Sequence, residues 1–537
     1  MSTRDLPKSI PDFFIGWTKH LPNEITFGKS AEQLEAEARE QNQNEHFVNE
    51  EIVTKTKMSS LWPAFASGAG LFSDGYVNNS IGTVSFALKK LYPTEMAANN
   101  SLSNVSSIAF AGTVLGMLTF GYVSDRISRK WGMLFTNAML ILFTILTAAA
   151  TWGANGSIYG LLAAITAFRF LLGVAIGAEY PTASVISAEF ANQLPAGNRN
   201  RYFVWFTNTM IDLGFVVSAF VPLVLLWIFS EKHYTAIWRL TLGLGAIPPI
   251  SLFFMRMKIA EGESFKKMNF NNKENKASVP YLLILKFYWF RLAVVSIIWF
   301  IYDFSAYSFG IYSSFILENV VPDGSVYKTW GWNVVFNLFY MPGAILGALA
   351  ADYIGPRLTL AIGVGLQGVV GFAMAGSYDS LSKHLGGFVV VYGIFTTLGE
   401  FGPGDNIGLL ASKTSATPIR GQYYGIAAAF GKIGAFVGTW VFPHILDKYG
   451  NQGAYYISSA LCLFSAALAL FFCPSVGQDA LNKEDGDFIR YLEASGYDIS
   501  KLGNGEITHD IESESYDGSS NKKTHEVIVN TEDKASL

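Results

Sequence analysis

Four ionisable side chains lie inside long apolar stretches of this 537-residue sequence: Asp74, Glu179, Asp303 and Lys432. A charge at the centre of a bilayer costs from about 2.5 to more than 10 kcal/mol, so such a side chain usually faces a cavity or a partner. Burial disfavours the ionised form of a carboxyl group, which allows a buried acid to take up and release a proton. We therefore predict that the three acids couple proton movement to another event. Structural hydrogen bonding is the alternative role for Asp74 and Glu179.

Asp303 lies within the segment WFIYDFSAYSFG, residues 299–310. Trp299 comes four residues before it and Tyr307 four residues after, which places all three on roughly one helix face. Tyr307 can donate a hydrogen bond to an anionic oxygen, and Trp299 can form an apolar wall. Lys432 is the only cation in its apolar stretch. It is predicted to contact an anionic substrate, or to pair with Asp303 and hold two helices together, and the two roles can coexist.

The elements that must position these residues are apolar stretches long enough to cross a membrane. Apolar residues make up 50% of the sequence and charged residues 15%, and the mean hydropathy is +0.29. About 20 helical residues cross the roughly 30 Å hydrocarbon core of a bilayer. Transmembrane β-strands would instead be about ten residues long and alternate in polarity. We therefore predict an all-α membrane protein with twelve transmembrane helices, numbered here as spans 1 to 12, near residues 61–87, 103–123, 131–151, 158–188, 202–229, 237–257, 289–314, 329–351, 357–377, 386–411, 421–446 and 453–473.

Basic residues concentrate in alternate loops of this arrangement. Lys and Arg follow spans 2, 4, 6 and 10, so the positive-inside rule places these loops and both termini in the cytosol. Residues 1–58 are polar and contain no apolar core of a signal peptide. The tail is rich in Asp, Glu, Ser and Asn, and we predict that it is disordered from Gln478 onward. The predicted organisation is a cytosolic N-terminal segment, a six-helix bundle, a cytosolic central loop, a second six-helix bundle and a cytosolic acidic tail, at residues 1–58, 59–257, 258–288, 289–473 and 474–537.

The two halves of the chain repeat each other. The segment GYVSDRISRK follows span 2 and ALAADYIGPR follows span 8, which places Asp352 227 residues after Asp125. Asp303 in span 7 lies 229 residues after Asp74 in span 1, nearly the same offset. Two six-helix bundles related in this way resemble the major facilitator superfamily, whose members bind substrate near the midplane where the halves meet.

The segment after span 2 resembles the motif that this superfamily carries between its second and third helices. The matching residues are Gly121, Asp125, Arg126, Arg129 and Lys130. The resemblance implies a gating role, in which the aspartate and the basic residues form ion pairs that hold one conformation and break in the other. The alternative interpretation is topological, because basic residues at this position also satisfy the positive-inside rule.

Motifs in four spans resemble the phosphate–proton symporter branch of the superfamily. They are GAGLFSDGY at 68–76, GAEYP at 177–181, the Trp-x-x-x-Asp-x-x-x-Tyr pattern at 299–307 and FGKIGAF at 430–436. Val77 and Gly404 stand where phosphate carriers have a second acid and an asparagine, which argues against free orthophosphate as the substrate. The combination is most similar to the fungal glycerophosphoinositol and glycerophosphocholine permeases.

This resemblance implies how a phosphodiester would be bound. A bound anion would be repelled by an ionised Asp303, so protonation of that residue would couple proton entry to anion entry. Asp74 and Glu179 are the additional candidates for proton coupling. Polar residues of spans 5 and 10, among them Asp212 and Glu400, suit a hydroxyl-rich or cationic head group. The predicted substrate contacts are Tyr180, Trp299, Asp303, Tyr307, Lys432, Asp405 and Asn406.

We therefore predict a proton-coupled symporter that imports glycerophosphoinositol, glycerophosphocholine or both by alternating access at a plasma membrane. An orthophosphate–proton symporter and a non-transporting nutrient sensor of the same fold are the alternatives. No nucleophile–base motif or phosphate-binding glycine loop is evident, so an enzyme is disfavoured. Cys462 and Cys473 suggest neither a disulfide framework nor a metal site. The expected partners are a small organophosphate and the lipid bilayer, with no cofactor besides the coupling proton, no metal, no nucleic acid and a monomeric state.

Overall fold

The computed structural model describes residues 62–126, 129–192, 194, 197–257, 279–477 and 480–499, with positions 15, 18, 21–26, 29, 33 and 34. The backbone alone is described at 22–23, 62–67, 124–126, 129, 154 and 192. Every element of regular structure in these ranges is helical. The predicted all-α fold is therefore confirmed.

The first half of the chain forms spans 1 to 6: Trp62–Leu91, Ser101–Arg126, Arg129–Ala148, Ile158–Asn192, Arg199–Phe206 with Asn208–Phe229, and Tyr234–Leu244 with Ile247–Arg256. The second half forms spans 7 to 10: Tyr281–Ile311, Val326–Leu338 with Tyr340–Tyr353, Pro356–Gly376, and Leu385–Gly399 with the π-helical Glu400–Gly404 and Asp405–Lys413. Spans 11 and 12 belong to one stretch, Arg420–Phe472. Short helices outside the spans are Leu21–Glu24, Pro93–Ala97, Ser313–Glu318 and Tyr378–Leu381, and a longer one follows span 12, Ala480–Ala494.

Ten helical stretches in the described ranges are long and apolar enough to cross a membrane. Span 1 is not among them because Asp74, Asn78 and Asn79 interrupt its apolar character. The last stretch counts once but contributes two crossings. Its 53 residues would extend about 80 Å as one helix, which is more than twice the roughly 30 Å hydrocarbon core of a bilayer. Gly450, at φ 65° and ψ −177°, breaks it into 420–449 and 451–472. A left-handed φ is favourable for glycine, which explains why the chain reverses there.

The packing of the spans repeats between the two halves. Span 1 packs against span 5 as span 7 packs against span 11, and span 2 packs against span 4 as span 8 packs against span 10. Spans 3 and 6 form a pair, as do spans 9 and 12. The halves meet where span 2 contacts span 11 and where span 5 contacts span 8. These four spans therefore frame the central space of the molecule.

Glycines allow spans 2 and 4 to approach each other closely. A Cβ atom on Gly173 would collide with the carbonyl group of Ala109, and one on Gly177 would collide with that of Thr113. Gly116 of span 2 packs in the same manner against span 4. Small residues that bring helix backbones into contact are a common basis of helix association in membranes. Gly173 and Gly177, four residues apart, therefore form the face of span 4 that packs closely on span 2.

The helix Ala480–Ala494, here called the tail helix, contradicts the predicted disorder from Gln478 onward over that range. Phe488 and Leu492 are fully buried, and Phe488 contacts the rings of two aromatic residues at the start of span 7. Arg291 Nη1 donates to Glu484 Oε2 at 2.8 Å. Burial raises the pKa of the neighbouring Asp485 carboxyl, and the positive charge of Arg420 opposes part of this rise. The prediction of disorder from composition was wrong for this segment, because a few apolar residues at helical spacing give it a face that packs against the rest of the protein.

Both ends of the described chain lie on one face of the protein. Glu24 forms an ion pair with Arg357 at the start of span 9, at 2.8 Å, and Thr26 donates to the carbonyl oxygen of Asp352 at 2.5 Å. The tail helix docks beside them against the starts of spans 7 and 11. We call this the terminal face and the other the opposite face.

Candidate substrate site

A cavity lies between the two halves of the protein. Its lining comes from spans 1, 4 and 5 of the first half and spans 7, 8, 10 and 11 of the second. Its volume is about 50 Å³ measured to the centres of water molecules, which is room for only a few waters. The position between the halves is the one expected for a substrate site in a duplicated carrier.

Contacts between the halves close the cavity toward the terminal face. Arg201 Nε of span 5 pairs with Asp352 Oδ2 of span 8 at 2.5 Å. Asn200 Nδ2 donates to the carbonyl oxygen of Ala351 at 2.8 Å. Arg420, at the start of span 11, lies 3.6 Å from Glu189 near the end of span 4.

The opposite face is closed as well. Lys90 at the end of span 1 pairs with Glu318 at 2.6 Å, just beyond span 7. Trp440 of span 11 donates its indole N–H to Asn104 Oδ1 of span 2 at 3.2 Å. Because both faces are bridged, this conformation is occluded, and a substrate larger than a few waters requires the halves to separate.

One end of the cavity contains a buried cation held between span 7 and span 11. Lys432 Nζ lies 3.1 Å from Asp303 Oδ2 and donates to the Tyr307 hydroxyl at 2.6 Å. The ammonium group also lies 4.0 Å from the centre of the Tyr307 ring and 5.0 Å from that of Tyr180. We call these four residues the Lys432 subsite. The predicted pairing of Asp303 with Lys432 is confirmed, and a lysine here offers a compact point charge to an anion.

The other end of the cavity contains three carboxyl groups around one amide. Asn208 Nδ2 donates to Asp405 Oδ1 at 2.9 Å, to Glu400 Oε2 at 3.0 Å and to Asp212 Oδ2 at 3.3 Å. The Tyr302 hydroxyl donates to Glu400 Oε1 at 2.7 Å. These five residues are called the acidic subsite. Span 7 connects the two subsites, since Tyr302 belongs to one and its neighbour Asp303 to the other.

Six of the seven predicted substrate contacts line this cavity: Tyr180, Trp299, Asp303, Tyr307, Asp405 and Lys432. The seventh, Asn406, does not: its amide donates to the carbonyl oxygens of Phe401 and Gly402 at 3.2 and 2.9 Å. Its side chain thereby satisfies the π-helical segment of span 10, in which the ordinary helical hydrogen bonds are shifted.

Two of the predicted proton-coupling acids lie outside the cavity lining. Asp74 accepts a hydrogen bond from Asn78 at 2.5 Å and lies within electrostatic reach of Lys432. Glu179 forms a buried ion pair with Arg256 of span 6 and accepts from Thr136 Oγ1 at 3.2 Å. Their roles in proton coupling stay predictions.

The predicted gating motif is described only in part. Gly121 packs against the backbone of Gly421 where span 2 meets span 11, and Lys130 lies at the start of span 3. The side chains of Asp125, Arg126 and Arg129 lie outside the described part of the chain. The counterpart of the motif after span 8 joins the halves through Asp352, which is the kind of contact that a gate requires.

Sequence reasoning did not single out Asn208, Tyr302 or Arg256. Asn208 lies four residues before Asp212 and so shares its helix face, which was a usable signal. Tyr302 is adjacent to Asp303 and points about 100° away from it around the helix, but helix periodicity does not reveal that Glu400 lies on that side. Arg256 ends span 6, where a basic residue is ordinarily a topological signal.

Comparisons with known proteins support the assignment of this chain to a transporter family. A family model described as sugar (and other) transporter matches residues 61–265 and 258–488. The major glycerophosphoinositol permease GIT3 of Candida albicans is 63% identical over 513 residues, 94% of this chain and 95% of that protein. The glycerophosphocholine permease GIT4 of the same species is 59% identical over 536 residues, 98% and 99% of the two chains.

The fold is also similar to that of solved transporters. The major facilitator proton:xylose symporter XylE of E. coli superimposes with a TM-score of 0.67 at 16% identity, covering 80% of this chain and 99% of that one. At that identity the similarity supports the fold alone. The chain is therefore a member of the major facilitator superfamily and belongs, with the relatives above, to the family of fungal glycerophosphodiester permeases.

Proposed function

We propose that this protein is a proton-coupled symporter that imports glycerophosphodiesters, glycerophosphoinositol or glycerophosphocholine, across the plasma membrane by alternating access. The observation that carries the proposal is the buried Lys432–Asp303 pair, at 3.1 Å, inside the cavity between the halves. A phosphodiester carries one negative charge and needs a cation at low dielectric, and Lys432 is the cation that the cavity lining provides. The family membership supports the substrate class.

The pair supplies a physical mechanism for coupling. While Asp303 is ionised it holds Lys432 and repels an incoming phosphate. A proton on Asp303 releases the ammonium group, so that Lys432 and the hydroxyl groups of Tyr307 and Tyr180 can bind phosphate oxygens. When the proton leaves, Asp303 recovers Lys432 and the anion loses its main partner. Binding of the anion is thereby conditional on the proton.

Alternating access follows from the bridges on the two faces. Opening to one side requires the Lys90–Glu318 bridge to break, and opening to the other requires the Arg201–Asp352 bridge to break. The terminal face is assigned to the cytosol in this proposal, because Arg201 and Arg420, which follow spans 4 and 10 in loops predicted to be cytosolic, lie there. Entry from outside and release inside then give import.

The test is uptake of a labelled panel in yeast cells that lack their own carriers: glycerophosphoinositol, glycerophosphocholine, glycerol-3-phosphate and orthophosphate. Uptake of one or both glycerophosphodiesters, abolished by a protonophore, is the expected result. Uptake of orthophosphate alone would identify a phosphate symporter instead. No uptake of any compound by surface-delivered protein would favour a sensor, and uptake that resists the protonophore and follows sodium would overturn the proton coupling.

A further inference from the structure

The acidic subsite has more negative groups than its hydrogen-bond donors satisfy. The Asn208 amide has two hydrogen atoms and faces three carboxyl groups, while Tyr302 supplies one further donor. Asp212 Oδ1 is buried and accepts no hydrogen bond from the described part of the chain. Asp212 and Asp405 are at most 2% exposed. Buried carboxylate oxygens without donors are costly, and either a proton or a positively charged ligand can offset that cost.

The acidic subsite contains no cation among its five residues. The charged residues of the cavity lining are Lys432 and four acids, and Lys432 is held by Asp303 in the other subsite. A ligand that placed a positive charge beside Asp212, Glu400 and Asp405 would therefore be favoured. A neutral or anionic head group would leave these carboxyl groups unpaired or protonated.

The surroundings indicate which type of cation fits. Among the described residues, no group of three acids, histidines or cysteines is arranged to hold a metal ion. Aromatic rings line the same cavity: Tyr340 and Phe215 both belong to its lining, and their ring centroids are 5.1 Å apart. Aromatic faces combined with negative charge are the usual environment of quaternary ammonium groups, which cannot donate hydrogen bonds.

We propose that the acidic subsite binds the trimethylammonium group of choline while the Lys432 subsite binds the phosphate, so that glycerophosphocholine is preferred over glycerophosphoinositol. This inference rests on the proposed function. A zwitterion matches a cavity lined by a cation and by a group of acids, and the two subsites meet at span 7 through the adjacent residues Asp303 and Tyr302. An inositol head group adds hydroxyl groups but no positive charge.

The first test uses the unaltered protein and a neutral analogue. In 3,3-dimethylbutyl glycerophosphate, a carbon atom replaces the choline nitrogen, so the shape is kept and the charge is lost. Inhibition of labelled glycerophosphocholine uptake by this analogue should require at least about tenfold higher concentrations than inhibition by unlabelled glycerophosphocholine. Equal inhibition by both compounds would overturn the proposal.

The second test uses isosteric variants, Asp212→Asn and, independently, Glu400→Gln. Each should raise the KM for glycerophosphocholine at least about tenfold relative to the KM for glycerophosphoinositol, measured with cell-surface amounts normalised. Equal changes for the two substrates in both variants would refute head-group recognition while leaving glycerophosphodiester import intact. Failure of the wild-type protein to take up either substrate would instead refute the proposed function.

Discussion

Replacement of Asp303 by asparagine tests whether this residue makes anion binding conditional on a proton. The change keeps the shape of the side chain and its capacity to hydrogen bond, and it fixes the neutral state. In the wild type the charges of Lys432 and Asp303 are 3.1 Å apart. Two unit charges at that separation attract by about 5 kcal/mol at an effective dielectric constant of about 20. A phosphodiester must offset this attraction unless a proton first neutralises the acid.

The consequence for transport can be stated as an accumulation ratio. One proton coupled to each substrate supplies about 1.4 kcal/mol per pH unit, which is a tenfold ratio per unit. With the membrane potential clamped at zero, a gradient of two pH units should let the wild type accumulate substrate roughly a hundredfold. Asp303→Asn should give an internal concentration equal to the external one. This variant should still bind substrate. Its affinity should stay constant as the pH rises, whereas the affinity of the wild type should fall.

The assay is uptake into proteoliposomes with an imposed pH gradient, together with exchange of labelled for unlabelled substrate at equal pH. Exchange should survive in Asp303→Asn, because it needs no net proton movement. The control is Asp323→Asn, an exposed acid paired with Lys328 in the loop after span 7, which should behave as the wild type. Accumulation by Asp303→Asn against its gradient would refute the reasoning and move the coupling role to Asp74 or Glu179. Loss of binding, exchange and accumulation together would show that Asp303 serves packing.

Three further outcomes are expected. Lys432→Ala should reach the cell surface and bind glycerophosphodiesters roughly 10- to 150-fold more weakly than the wild type in an equilibrium binding assay, since it removes a charged hydrogen-bond donor worth about 1.5–3 kcal/mol. Normal affinity would contradict a phosphate-binding role. Gly173→Ala should lower thermal stability and surface amount, because the added Cβ meets the backbone of span 2. Gly331→Ala, where a Cβ meets no atom within 4 Å among the described residues, is the matched control, and equal behaviour of the two would refute the packing argument. Phe488→Ala should weaken the docking free energy of the tail helix by about 3–5 kcal/mol and make the segment around it sensitive to limited proteolysis. Lys483→Ala, on the exposed side of the helix, should leave protease resistance unchanged. Resistance in both variants would show that the helix is held by its ion pairs.

The sequence by itself determined the membrane class, the twelve spans and the duplication. These features follow from local properties: the length of an apolar stretch fixes whether a helix crosses a bilayer, and a repeated offset between Asp74 and Asp303 is visible without coordinates. The cost of charge in the membrane also singles out Asp303 and Lys432 as residues of a site, and the two side chains lie 3.1 Å apart.

Only the tertiary structure decided how the intramembrane charges are paired. Glu179 and Asp303 are both membrane-depth acids in the sequence, yet Glu179 pairs with Arg256 within the first half while Asp303 faces the cavity with Lys432. The Asn208 amide of span 5 donates to Glu400 and Asp405 of span 10, which lie 192 and 197 positions later in the sequence. Helix periodicity tells which residues share a face, but the neighbour of that face is set by how distant helices pack, and the electrostatic partner of a buried group is a property of that packing.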